Sequence, residues 1–270
     1  MHLFKIFYTA ALALLAVSCN NSAKPEKINT PEKIPVTTVD EQMLGDSTLA
    51  DTVREQMIEK LVQGNQTEKA LSQIEMLLKK DSTNPGWLYM KADALERSGD
   101  TSGAIAFYNK AVNKAGIFIK AEMRAANLFA ETGNKNALIL CDRLLKNPAA
   151  VRLRSDVLLM KGIYYTKVKN SAKALEQFTQ IIREDYSYLD AYIEKGLVYY
   201  DGGNYTEAWK VFNKSTEVSN KFADGYYWMA RAEEKMNKKQ DAIDNFKRAL
   251  ALDQNLSEAR EGLKRLEELK

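Results

Sequence analysis

A repeat runs through this chain and limits what it can fold into. Ala70, Ala104, Ala137, Ala174, Ala208 and Ala242 follow one another at intervals of 34, 33, 37, 34 and 34 residues. Four residues after each stands Ile74, Tyr108, Cys141, Phe178, Phe212 or Phe246. Alanine and a larger residue four apart share one face of a helix, so each pair marks a helix with a packed side. Seven residues before each turn sits Ile58, Ala92, Ala126, Gly162, Gly196 or Ala230, of which only the first is large. The turns are Gly64-Asn65-Gln66, Gly99-Asp100, Gly133-Asn134, Lys169-Asn170, Gly203-Asn204 and Asn237-Lys238. Glycine or asparagine ends a helix in the left-handed conformation, and a following Asp or Asn caps the next helix. Each unit is therefore helix, tight turn, helix.

These residues and their period resemble the tetratricopeptide repeat over about residues 50 to 253. The resemblance implies an all-α solenoid of about six helix-turn-helix repeats over 46–253, closed by a C-terminal capping helix over 254–270. In that family small residues sit where the two helices of a unit cross closely and the bulky residue fills the gap beside them. The terminal helix, rich in Glu, Lys and Arg, supplies the polar end that solenoids require. The third unit departs from the pattern, with a short turn before Ala137 and a longer connector around Asn147-Pro148. Glu233 stands where the other units carry Leu61, Leu95, Phe129, Tyr165 and Tyr199, so the last unit is expected to pack differently.

The first residues read differently. Lys5 precedes an apolar run from Ile6 to Val17, too short for a comfortable bilayer span and typical of a secretory signal peptide over 1–18. The segment Leu15-Ala16-Val17-Ser18-Cys19 resembles a bacterial lipobox, with alanine at Ala16 where leucine is commonest. That resemblance implies lipidation of Cys19; the competing reading is plain cleavage nearby, which leaves Cys19 as an odd thiol. Residues 19–45 hold three of the five prolines, Pro25, Pro31 and Pro35, with few apolar residues, and read as a disordered tether behind the lipid. The expected location is the cell envelope, on an outer membrane and facing the periplasm, because Asn20-Asn21-Ser22-Ala23-Lys24 lacks the acidic sorting signals linked with other destinations.

Composition then excludes chemistry. The 39 basic and 36 acidic residues are interleaved without a basic run, which argues against nucleic acid as a partner. The only histidine, His2, falls in the signal segment, so histidine-dependent catalysis and histidine metal sites are unavailable to the processed chain. No catalytic residue, metal ligand or cofactor is expected, and the chain reads as a scaffold and not an enzyme. Cys141 is expected in the core, as are Trp87, Trp209 and Trp228. Adjacent carboxylates such as Glu233-Glu234 read as solvated.

The remaining signal is the inner face that first helices present in this family. Helical phase assigns to it a partner-binding groove of Tyr89, Asn127, Leu159, Ile163, Ile193, Leu197, Tyr200, Tyr227 and Arg231. Its apolar middle suits a protein or peptide partner in the envelope, as an amphipathic helix or extended apolar segment. A lysine-asparagine grip on a terminal carboxylate, known in some family members, finds only Asn127 in place. The alternatives are a glycan- or small-molecule-binding lipoprotein, with Tyr200 beside Asp201 as its one aromatic candidate, and a structural subunit of an envelope secretion or motility complex.

Overall fold

The computed structural model describes residues 50–115 and 119–268; the signal segment, Cys19 and the tether lie outside the described residues. Thirteen α-helices run in order through these residues, all within one compact unit: α1 Asp51–Gln63, α2 Thr67–Lys80, α3 Pro85–Arg97, α4 Thr101–Ala115, α5 Ile119–Glu131, α6 Asn136–Lys146, α7 Arg154–Lys167, α8 Ser171–Glu184, α9 Leu189–Asp201, α10 Tyr205–Val218, α11 Ala223–Lys235, α12 Lys239–Leu252 and α13 Ser257–Glu268. The fold is an all-α solenoid of six helix pairs followed by one terminal helix.

Each pair turns through the same device. Asn65, Gly99, Gly133, Lys169, Gly203 and Asn237 take positive φ between 57° and 87°. The next residue then donates its N–H back to a carbonyl five residues earlier, as Asp100 does to Leu95 at 2.9 Å and Asn204 to Tyr199 at 2.9 Å. This bond satisfies a carbonyl the helix end would leave bare. Asp100, Asn170 and Asn204 also accept N–H bonds from Gly103, Lys173 and Glu207, at 2.9, 3.2 and 3.4 Å, and so start the following helix. Lys169 is the exception by residue type: its side chain bears the Cβ penalty of the left-handed region that glycine avoids.

The crossing within a pair explains the small residues. All six repeat alanines and all six residues four positions later are fully buried, Ala208 and Phe212 among them at 0 % exposure. A Cβ on Gly162 would lie inside the Phe178 ring, and one on Gly196 inside the Phe212 ring. Gly262 of α13 meets Phe246 in the same manner, so the terminal helix covers the last ring as a first helix would. The irregular third unit is completed by a 3-10 turn over Pro148–Leu153, begun by Asn147 accepting the Ala149 N–H at 3.0 Å.

Glu233 occupies the core position of its unit at 4 % exposure, which corrects the expectation of a solvated carboxylate. Its carboxylate accepts the Trp209 indole N–H at 2.7 Å and the Asn245 amide at 2.8 Å. Burial pushes this acid up, and the two bonds pull it partly back. A polar triad thus replaces the apolar or tyrosine side chain of the other units.

Candidate functional site

First helices of successive units touch side by side: α5 packs on α7, α7 on α9 and α9 on α11. Second helices show no such mutual packing among the more extensive contacts. The side where helices crowd is the short, inner side of the curve, so the first helices line a concave face.

That same crowding corrects the expected groove. Tyr89, Leu159, Ile163, Ile193 and Tyr227 are core residues at 3 to 9 % exposure and do not stand open on the inner face. Tyr89, Leu159, Ile193 and Tyr227 each stand three residues before a small crossing residue and Ile163 one residue after Gly162, and in all five the packed helices close over the side chain. Tyr227 lies 5.0 Å from the Trp228 ring and 6.0 Å from Phe246, and its hydroxyl accepts from Arg231 at 2.8 Å. Tyr89 lies 5.6 Å from Tyr108, and burial pushes its phenol up to about 12, with Asp93 adding to the shift.

Asn127, Leu197, Tyr200 and Arg231 are part-exposed on the inner side. Asn127 donates to Glu131 at 2.9 Å. Tyr200 is held edge-on against Tyr205 and Trp228, at 5.2 and 5.7 Å, and its hydroxyl is buried. Edge-on rings offer no flat platform for a sugar, so Tyr200 and Asp201 do not form the coplanar aromatic site that a glycan binder needs. Arg231 lies 5.8 Å from the Tyr227 and Trp228 ring centroids.

The charges of the concave face divide along its length. Toward the start, Arg97 reaches Asp93 at 3.1 Å, and Arg124 reaches Asp93 and Glu96 at 3.2 and 3.0 Å. Carboxylate and guanidinium cancel there. From α7 onward a row of acids appears at a constant spacing of 34 residues: Asp156, Asp190, Asp224 and Glu258. Burial raises Asp190, and Asp156 adds to it; burial also raises Asp224, with Asp190, Asp253 and Glu258 adding. Glu194, one turn beyond Asp190, is pushed up to about 7 by burial first and then by Asp190, Asp201 and Glu131, against the pull of Lys167. Sequence reasoning missed this row, although its period is visible, because an acid in the first turn of a helix is commonplace.

Elsewhere the chemistry is quiet. Cys141 is fully buried and its thiol is pushed up to about 12, so it is an inert core residue. Among the described residues no group of three or more His, Cys, Asp or Glu is placed to hold a metal ion.

Comparison with known proteins agrees with this architecture. Residues 58–118 and 159–218 match one tetratricopeptide repeat model and residues 223–256 a second, together more than half of the chain. The unmatched stretch between them holds the irregular third unit. Among solved structures, the chain is similar to a tetratricopeptide repeat protein from Parabacteroides merdae ATCC 43184, with TM-score 0.63 and 18 % identity, covering 80 % of this chain and 84 % of that one. It is also similar to PilW, a widely conserved type IV pilus biogenesis factor, with TM-score 0.63 and 17 % identity over 78 % of this chain and 97 % of that one. A search of curated protein sequences returns no match. With its six buried helix crossings, left-handed turns and matching repeat models, the chain belongs to the tetratricopeptide repeat family.

Proposed function

We propose that this protein is a lipid-anchored scaffold of the bacterial cell envelope, facing the periplasm from an outer membrane, that binds a protein partner along the concave side of α7, α9 and α11. A tetratricopeptide solenoid is a protein-interaction scaffold. The observation that carries the reading is the part-exposed strip of Leu197, Tyr200 and Arg231, framed by carboxylates on a preformed concave surface. Such a surface binds without first ordering itself, which spares the entropic cost of association. Among the described residues no helix is long and apolar enough to cross a membrane. The proposed attachment is the lipid on Cys19, carried by the lipobox resemblance.

One experiment with the full-length tagged protein tests both halves. Cys19→Ala moves the protein from the membrane to the soluble periplasmic fraction without unfolding it. Leu197→Ala combined with Arg231→Ala leaves the protein in the membrane but costs at least about 2 kcal/mol of affinity for the partner identified by copurification from detergent and mass spectrometry. Persistence of the Cys19→Ala protein in membranes washed at high salt overturns the anchor. Unchanged partner affinity in the Leu197/Arg231 variant overturns the concave site.

A further inference from the structure

Three acids on the concave side of α9 and α11 form no ion pair, and the one cation acting on any of them is Lys167 of α7, which pulls on Glu194. Asp190, Glu194 and Asp224 form neither hydrogen bonds nor ion pairs among the described residues. Glu194 is half-buried, and Asp190 and Asp224 keep open contact with solvent. The contrast with the first half of the solenoid is internal to the molecule. There Asp93 and Glu96 are answered by Arg97 and Arg124, and in α7 Asp156 accepts the Tyr188 hydroxyl at 2.6 Å. Acids crowded beside one another repel, and an arriving cation relieves that repulsion.

We propose that the concave face of α7, α9 and α11 docks a cationic amphipathic segment of its partner protein, whose Lys or Arg side chains reach Asp190, Glu194 and Asp224 while its apolar residues rest on Leu197. The proposal deepens the reading of the concave face given above and rests on it. Two observations besides the acids point to this occupant. Leu197 offers an apolar floor beside them, and the arginines of the concave side are already engaged, Arg124 with Asp93 and Glu96, and Arg231 with the Tyr227 hydroxyl and Glu234. The same field repels an acidic tail or a terminal carboxylate.

The groups facing Glu194 are Asp190 and Asp201 on its own helix, Glu131 on α5 and the single cation Lys167 on α7. Three of the four are acids, so the site gains negative charge as pH rises through about 7, and with it affinity for a cation. A partner of this kind is held more weakly in an acidified compartment.

The test uses the full-length protein in detergent and three fluorescent synthetic peptides that share leucines at the apolar positions and carry lysine, serine or glutamate at the polar ones. The lysine peptide binds, the glutamate peptide does not, and added salt weakens the complex. Asp190→Asn, Glu194→Gln and Asp224→Asn together weaken the lysine peptide at least about tenfold. Neutralising Glu207 and Glu217 on the outer helix α10 leaves it unchanged. Wild-type affinity falls as pH is lowered through about 7, and Glu194→Gln alone removes that step. Equal binding of the three peptides, or undiminished binding by the triple variant, overturns the proposal. A photo-cross-linker at Leu197 separates the cationic assignment from the concave site itself. Cross-linking that ignores peptide charge ends the first and leaves the second standing; silence at Leu197 with cross-linking on α10 ends both.

Discussion

Phe212→Ala lowers stability by about 3 to 5 kcal/mol, the usual cost of emptying a buried aromatic site, read from urea denaturation followed by circular dichroism. The Phe212 ring is fully buried, stacks at 5.8 Å on Trp228 of the next first helix and occupies the space that Gly196 leaves free. It therefore ties one unit to itself and to its neighbour at once. The converse substitution tests the same crossing from the other side. Gly196→Ala drives a methyl group into that ring and costs about 1 to 3 kcal/mol through overpacking. Combining it with Phe212→Leu recovers part of the loss, because the two residues share one volume and their effects do not add. A strictly additive pair would mean that the two helices do not meet at these residues.

The second large effect is electrostatic and depends on pH. Burial and neighbouring acids raise Glu194 from the ordinary 4.5 to about 7 in the folded protein, so the folded state holds a proton that the unfolded chain has already released in that range. Stability from this group is full below the unfolded value and is lost as pH rises toward the folded one. A tenfold difference in proton affinity corresponds to about 1.4 kcal/mol, so the wild type loses about 2 to 3 kcal/mol between about pH 5 and pH 8 from this site. Glu194→Gln has no such proton to lose. The variant matches the wild type at the lower pH and exceeds it at the higher one, as measured by paired denaturation curves. A constant difference across the two conditions would mean that the carboxylate is solvated and free of its acidic neighbours.

The repeat was readable because it is enforced by contact. An alanine every 34 residues cannot be replaced by a larger side chain where two helices cross, and a left-handed turn selects Gly or Asn, with Lys169 as the tolerated departure. The irregular third unit was also visible, through Asn147-Pro148, where a proline at the start and an Asn cap produce a 3-10 turn. What escaped the sequence is the difference between two stripes on the same helix. Leu159, Ile193 and Tyr227 lie one helical turn before Ile163, Leu197 and Arg231, and helical periodicity alone cannot say which row the next unit covers. Side-by-side packing of first helices covers the former row throughout; in the latter it covers Ile163 and leaves Leu197 and Arg231 part-exposed. Glu233 escaped for another reason: its partners, Trp209 and Asn245, come from the preceding and following helices, and no spacing rule announces such a triad.

Whether the partner is met on the concave face between α7 and α11, as proposed, is decided by site-specific photo-cross-linking in living cells. The full-length protein carries a photo-reactive residue in place of Leu197 on the concave face or of Ile139, 63 % exposed on the second helix α6. A discrete cross-linked partner is expected from Leu197 and none from Ile139. A partner captured from Ile139 while Leu197 stays silent would place the interaction on the outer helices and rule out the concave site.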